Sequence, residues 1–78
     1  MTGTELKHLR ETAGVLLKDL AMRLGMDMGR LSRFEGGYGG RMPEDLPARY
    51  VEAVREIVRE RAEAVEAIAP TEPAASAA

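Results

Sequence analysis

The sequence contains no cysteine and no tryptophan, and among its 78 residues it has only one histidine, one phenylalanine and two tyrosines. Without cysteine the chain cannot form a disulfide framework, a thiolate zinc site or a cysteine nucleophile. The single histidine, His8, has no cluster of ligands at metal-binding spacing, so we expect no metal site. No apolar run is long enough to cross a bilayer, and the chain does not open with a signal-peptide pattern, so a cytoplasmic protein is expected.

The sequence also lacks the residue patterns on which most enzymes depend. It has no paired carboxylates, no nucleophile next to a base and no phosphate-binding loop. Four glycines stand within residues 36–40, but no Lys-Ser or Lys-Thr pair follows them. This run is therefore predicted to be a flexible loop with Tyr38 at its tip. We expect neither catalysis nor a cofactor.

Acidic and basic residues are unevenly distributed along the chain, whose net charge is −2. Residues 1–43 contain seven Lys or Arg and five Asp or Glu, whereas residues 44–78 contain four Arg and eight Asp or Glu. The first part is therefore slightly basic and the second part is acidic. A protein with this balance can still bind nucleic acid if its basic groups lie on one face.

The first half of the sequence predicts three short helices, because apolar residues recur there at three- and four-residue spacing. Thr2 and Glu5 form a capping box at the start of the first helix. Gly25 can adopt a positive φ and end the second helix, and Asp27 is a good N-cap for the third. Met22 and Met26 are expected to fill gaps in the core. The first predicted helix ends at Gly14, the second spans residues 15–24 and the third spans residues 27–35.

The second half predicts one long helix that starts near residues 45–47 and continues to about residue 69, where Pro70 ends it. Its first turns are expected to close the core. Its remaining apolar residues need cover that a small domain cannot supply, which predicts dimerisation through this helix. The chain thus divides into residues 1–46, residues 47–69 and a disordered tail, residues 70–78. The predicted dimer interface comprises Val51, Val54, Ile57, Val58 and Val65.

Seven short segments fall at the spacing of a known family: Leu9-Arg10, Ala13-Gly14, Leu20-Ala21, Leu24-Gly25, Leu31-Ser32, Phe34-Glu35 and Gly37. Over residues 5–50 the sequence resembles the Cro/lambda-repressor-like helix-turn-helix proteins, also called the xenobiotic-response-element family. The resemblance implies a compact all-α domain of four to five helices, here with an extended C-terminal helix, that binds DNA as a dimer. It also implies an ion pair between Arg10 and Glu35.

The resemblance further implies a DNA-binding surface centred on the third helix. Its outward positions are expected to contact bases, and an arginine in the major groove most often binds the O6 and N7 atoms of guanine. The start of the second helix and the loop after the third are expected to contact phosphates. The expected base contacts are Met28, Gly29, Arg30, Ser32 and Arg33, and the expected phosphate contacts are Leu17, Lys18, Tyr38 and Arg41.

The function predicted from these features is sequence-specific binding of double-stranded DNA by a homodimeric transcriptional regulator. A repressor of its own or a neighbouring operon is expected, acting at the nucleoid on a palindromic operator. In one alternative, the chain is an antitoxin whose last helix or tail binds a toxin. In another, it is a protein-interaction module that has lost DNA binding, because Leu16, Leu17, Met28 and Gly29 replace polar residues usual in the family.

Overall fold

The computed structural model describes residues 1–68, which form four α-helices and no strand. The all-α class and the long final helix predicted from the helical periodicity are therefore confirmed. The helices are α1 (Gly3–Thr12), α2 (Leu17–Leu24), α3 (Met28–Gly36) and α4 (Leu46–Ile68). The predicted tail, residues 70–78, lies outside the described residues.

Local hydrogen bonds determine where the first two helices begin. The Thr2 hydroxyl accepts from the Glu5 N–H at 3.2 Å, and the Glu5 carboxylate accepts from the Thr2 N–H at 2.7 Å, so the capping box is complete. Helix α2 begins two residues later than predicted, at Leu17. The reason is that Val15 lies in the connection and buries its side chain, while Leu16 is the extended N-cap residue.

All four helices and the α1–α2 connection contribute to one hydrophobic core. The apolar stripes predicted on α2 and α3 are buried, and the first three turns of α4 cover them. Because α4 supplies about as many core residues as the other helices together, the first three helices cannot bury their apolar faces without it. The core residues are Leu6, Val15, Leu20, Ala21, Leu24, Leu31, Phe34, Leu46, Tyr50, Ala53, Val54 and Ile57.

The start of α1 packs directly against the end of α3. A Cβ atom added at Gly3 would lie 2.0 Å from the carbonyl oxygen of Phe34 and 3.1 Å from the Cα of Glu35. Only glycine allows two backbones to approach this closely. Gly3 therefore sets the position of α3 relative to α1.

Helix α4 runs antiparallel to α2. Near the start of α4, the Arg49 guanidinium donates to the carbonyl oxygen of Leu24, the last residue of α2, at 3.0 Å. About three turns further along, Arg61 donates to the carbonyl oxygen of Gly14, just before α2, at 2.9 Å. The two contacts fix both ends of the α2–α4 pair.

Ion pairs hold α2 against α4 where the core ends. Arg23 of α2 pairs with Glu60, and it also reaches Glu56 at 3.4 Å. Arg61 lies 4.0 Å from Asp19 of α2. In the sequence Arg61 interrupts the apolar spacing of the last helix, and the structure explains this because its side chain turns back to α2.

The prediction that Met22 fills a gap in the core is wrong, since its side chain is 74% exposed. The buried stripe of α2 is formed by Leu20, Ala21 and Leu24, so residue 22 projects into the open groove between α2 and α4. Met26 is half-buried and packs against the core. A methionine at helical spacing therefore marks the core only when it falls on the stripe that faces the other helices.

Candidate nucleic-acid interface

Helices α2 and α3 are joined by a turn of three residues, 25–27. Gly25 adopts the left-handed conformation, with φ 69° and ψ 30°, and its N–H donates to carbonyl oxygens of the last turn of α2. The Asp27 carboxylate then accepts from the Arg30 N–H at 3.0 Å and caps α3. The small side chain of Ala21 is 2% exposed in the angle between the helices. A short turn with this capping directs α3 across α2.

One face of α3 points into the core and the opposite face is open to solvent. Leu31 and Phe34 are buried, and so is the charged Glu35. All five residues that the sequence predicts as base contacts are exposed: Met28, Gly29, Arg30, Ser32 and Arg33. The outward face of α3 is thus free of other parts of residues 1–68 and able to enter a groove.

The two arginines of this outward face have different surroundings. The Arg30 guanidinium carbon lies 5.4 Å from the centroid of the Phe34 ring, a cation–π distance. Arg33 extends toward the start of α3, where its Nη1 lies 3.5 Å from the position a Cβ at Gly29 would take. The two guanidinium groups therefore lie on different parts of the helix surface.

A buried polar network holds the C-terminal end of α3. The Glu35 carboxylate accepts from Nε and Nη2 of Arg10, at 2.8 and 3.0 Å, and also from the hydroxyl of Tyr50. Arg10 completes its contacts by donating from Nη1 to the carbonyl oxygen of Val15 at 3.0 Å. Three helices thus meet at one carboxylate, and no buried side-chain polar atom among residues 1–68 lacks a partner.

The network stabilises the charged form of Arg10 and the neutral form of Tyr50. Hydrogen bonding to the Glu35 carboxylate raises the pKa of the Arg10 guanidinium. Burial raises the pKa of Tyr50, and the hydrogen bond to Glu35 raises it further. The Tyr50 hydroxyl therefore remains a hydrogen-bond donor well above neutral pH.

The start of α2 carries no side-chain cap. The N-cap residue is Leu16, whose side chain is 60% exposed. Leu17 is half-buried and packs against the core, so its apolar side chain offers no group to a phosphate, whereas the Lys18 side chain is exposed. The first N–H groups of α2, together with Lys18, are the groups here that can bind a phosphate.

The loop after α3 folds back onto the end of that helix. The N–H groups of Tyr38 and Gly39 donate to the carbonyl oxygen of Arg33, at 2.8 and 3.1 Å. A Cβ atom at Gly39 would lie 2.6 Å from Cδ1 of Phe34, so only glycine fits there. The side chains of Tyr38 and Arg41 are exposed. The glycine run thus lets the loop pack against α3 while presenting these two side chains.

Ion pairing separates two groups of basic residues. Within residues 1–43, Arg10 and Arg23 pair with carboxylates. By contrast, none of the basic side chains predicted to contact DNA pairs with a carboxylate of residues 1–68. These unpaired groups are Lys18, Arg30, Arg33 and Arg41. Their charges remain available to an anionic ligand.

Comparison with known families agrees with this geometry, since the helix-turn-helix domain family matches residues 3–69. The chain belongs to the helix-turn-helix domain family. No curated protein and no solved structure matches it. Helix-turn-helix domains form a DNA-binding family, and α2, the three-residue turn and α3 have the arrangement of two helices joined by a short turn.

The structure separates the residues predicted to form a dimer into two groups. In this helix-turn-helix domain Val54 and Ile57 are 3% and 7% exposed, because they pack in the core of the single chain. Their assignment to an interface between subunits is therefore corrected. Val51 is half-buried against the core. Val58 and Val65 are 42% and 65% exposed, so these two remain free to contact a second subunit.

The part of the helix-turn-helix domain that the structure describes has neither a cluster of metal ligands nor a membrane-spanning helix. Within residues 1–68, no three His, Cys, Asp or Glu side chains are grouped so that they could hold a metal ion. None of the helices formed by these residues combines the length and the apolar character needed to cross a membrane.

Two contacts of α3 do not follow from the sequence analysis. The Tyr50 hydroxyl donates to the Glu35 carboxylate at the end of α3, which the helical spacing of the last helix does not indicate. A usable signal was that a buried tyrosine needs a partner for its hydroxyl. Gly29 is among the predicted base contacts, but the position of the Arg33 guanidinium beside it has no sequence signal, because it depends on a side-chain conformation.

Proposed function

We propose that this helix-turn-helix domain is a sequence-specific regulator of transcription, a homodimeric repressor of its own or a neighbouring operon that acts in the cytoplasm at the nucleoid. The observation that carries the proposal is the outward face of α3, where Arg30 and Arg33 are exposed and pair with no carboxylate of residues 1–68. Exposed guanidinium groups that pair with no carboxylate can bind phosphates and guanine bases.

The domain is proposed to belong to the Cro/lambda-repressor-like subfamily. Support comes from the seven matching segments and from the Arg10–Glu35 ion pair, which the resemblance implies and which is present at 2.8 Å. The pair joins α1 to the end of α3. It therefore holds the recognition helix at a defined angle to the rest of the domain.

On DNA, α3 is proposed to lie in the major groove with its outward face toward the base edges. The start of α2 then faces a phosphate through its backbone N–H groups and Lys18, because a helix N-terminus favours an anion. Tyr38 and Arg41 contact the backbone beyond the other end of α3, where their loop leaves them exposed. Phosphate contacts position the domain and base contacts give it specificity.

A second subunit is proposed to dock on the exposed half of α4 through Val58 and Val65. These residues are seven apart and share one face of the helix, which the core of the single chain leaves uncovered. A two-fold dimer would place two recognition helices in successive major grooves, about 34 Å apart, and favour a palindromic operator.

The test is a binding assay on a duplex taken from immediately upstream of the gene, with the wild-type protein and Arg33→Ala. Wild type should bind with an affinity that falls steeply with salt, by about 0.9 log units per log unit of salt for each phosphate neutralised. Arg33→Ala should weaken binding to this duplex by about 5- to 150-fold while circular dichroism and the oligomeric state remain unchanged, because residue 33 is exposed.

Arg55→Ala is the matched control, since Arg55 is exposed on α4 and its loss changes the net charge equally. It should bind the duplex as wild type does. If wild-type affinity is independent of salt, or Arg33→Ala binds normally, the proposed interface is wrong.

The antitoxin alternative is favoured by the acidic second half of the chain and by the end of α4. All residues from 58 to 68 are exposed, and three of them are glutamates: Glu60, Glu63 and Glu66. A basic partner could bind along this segment. Co-purification of a stable complex with the product of a neighbouring gene would support the alternative, and a homodimer free of other proteins would contradict it.

The protein-interaction alternative is favoured by two exposed apolar side chains near the proposed DNA contacts. Leu16 is 60% exposed and Met28 is 48% exposed. A module of this type would keep the fold and bind no duplex at any salt concentration. The binding assay on duplex DNA therefore distinguishes it from the regulator.

A further inference from the structure

We infer that the two arginines of α3 have different roles: Arg33 recognises a base, in a position that Gly29 makes accessible, and Arg30 binds a phosphate. The inference rests on the proposed DNA-binding function. It identifies the specificity-determining residue of the recognition helix and explains why residue 29 lacks a side chain.

The Arg33 guanidinium lies over the beginning of α3, although residue 33 belongs to its last turn. Side chains on a helix lean toward its N-terminus, and Arg33 follows this rule, with its Nη1 3.5 Å from the Cβ position of residue 29. In helix-turn-helix proteins the N-terminal part of the recognition helix contacts the base edges. The Arg33 guanidinium is therefore in the part of the helix that recognises bases.

Gly29 provides the space in which this guanidinium lies. The Asp27 carboxylate, whose Oδ2 lies 3.1 Å from the Cβ position of residue 29, is already used to cap α3 through the Arg30 N–H. A methyl group at residue 29 would only touch Arg33, but a longer side chain would compete with it. Gly29 thus allows the arginine from the next turn to supply the base contact at this position.

Arg30 lies on the side of α3 that faces the loop. Its guanidinium stacks on Phe34, and the same ring contacts Gly39 in the loop after α3. An arginine held against an aromatic face has less freedom to bend toward the bases. Since the exposed loop residues Tyr38 and Arg41 are proposed phosphate contacts, Arg30 lies beside the DNA backbone with them.

The experiment has two steps and uses the full chain. Wild-type protein first selects a preferred site from a library of randomised DNA duplexes. Affinity is then measured for that site and for each of its single base-pair variants, at several salt concentrations. The proteins compared are wild type, Arg33→Ala, Arg30→Ala, Gly29→Leu and the charge-matched Arg55→Ala.

Arg33→Ala should lose discrimination at one base pair of each half-site, by about 5- to 150-fold, and bind the variants at that position equally. Arg30→Ala should weaken binding by a similar factor for every sequence and make the salt slope shallower by about one. Gly29→Leu should change the preference at the base pair affected by Arg33→Ala and leave the salt slope unchanged. Arg55→Ala should behave as wild type.

The inference is overturned if Arg30→Ala removes discrimination at one base pair, or if Arg33→Ala weakens all sequences equally. Gly29→Leu with an unchanged preference also contradicts it. If the wild-type protein binds no duplex and selects no site, the proposed function itself fails. Circular dichroism of each variant should match wild type, because all four substituted residues are exposed.

Discussion

The two halves of α4 have the same helical pattern but different surroundings. The proximal half, residues 46–57, contains five buried residues and closes the core over α1, α2 and α3. The distal half, residues 58–68, contains none, although Val58, Val65 and Ile68 continue the apolar spacing. Apolar periodicity therefore predicts which residues share a helix face, and the partner available to that face determines whether they are buried.

Polar contacts differ between the halves in the same way. The proximal half reaches the buried Arg10–Glu35 pair through the Tyr50 hydroxyl. The distal half is linked to α2 through Arg23 and Glu60, an ion pair whose side chains are 35% and 55% exposed. A buried charge that loses its partner is destabilising, whereas an exposed one is solvated by water. The comparison can be tested with pairs of matched substitutions.

The largest difference in the free energy of unfolding is expected between two variants that each remove the arginine of one ion pair. Arg10→Met leaves the Glu35 carboxylate buried with only the Tyr50 hydroxyl as a donor, and it should lower the free energy of unfolding by about 3–5 kcal/mol. Arg23→Met should leave the urea midpoint close to that of wild type. Equal losses in the two variants, measured by urea unfolding, would contradict the contrast between the halves.

A smaller effect is expected from shortening an isoleucine in each half. Ile57 is 7% exposed and Ile68 is 81% exposed. Ile57→Ala should cost about 3 kcal/mol because it leaves a cavity between α4 and α2. Ile68→Ala should change protomer stability by less than about 0.5 kcal/mol. The measurement is urea unfolding at a protein concentration where both variants have the same oligomeric state. If Ile68→Ala lowers the free energy of unfolding as much as Ile57→Ala does, Ile68 is buried against another part of the protein.

The Tyr50 hydroxyl is expected to contribute less to the free energy of unfolding than the Arg10–Glu35 ion pair with which it forms a hydrogen bond. Tyr50→Phe removes one donor from the Glu35 carboxylate and should lower the free energy of unfolding by about 2 kcal/mol at pH 7. Tyr38→Phe is the control, since Tyr38 is 84% exposed, and it should have no measurable effect.

The effect of Tyr50→Phe should also depend on pH. Burial raises the pKa of Tyr50, so above the ordinary tyrosine value of about 10 the unfolded chain loses the phenol proton while the folded chain keeps it. The stability that depends on the neutral hydroxyl is present below pH 10 and falls as the pH rises further. The difference between wild type and Tyr50→Phe should therefore shrink above pH 10, and a constant difference would contradict burial of the hydroxyl.

The smallest effect on the protomer is expected from a charge on the exposed face of the distal half. Val58→Asp should change protomer stability little but reduce the mass measured by light scattering to that of a monomer, because it places a carboxylate in the proposed interface. Ala48→Asp is the control, since Ala48 is exposed on the proximal half and the introduced charge is the same. A Val58→Asp protein that remains a dimer would place the interface elsewhere.

Much of the helix-turn-helix domain follows from local sequence. Thr2 with Glu5, Gly25 and Asp27 specify helix ends through hydrogen bonds or φ angles that involve only residues close by in the chain. The outward face of α3 also follows from spacing alone, because a helix presents residues at a fixed angular interval. These features were predicted correctly for that reason.

The contacts between helices needed the tertiary structure. The burial of Val54 and Ile57 in the protomer depends on how far the other helices extend along α4, and the spacing of the helix contains no information about that. The meeting of Tyr50 with Glu35 depends on where two distant segments cross. The sequence by itself determined the helices and which residues share a helix face, because these are local properties. Only the tertiary structure determined which of these faces are buried against another helix, because that depends on where distant segments of the chain pack.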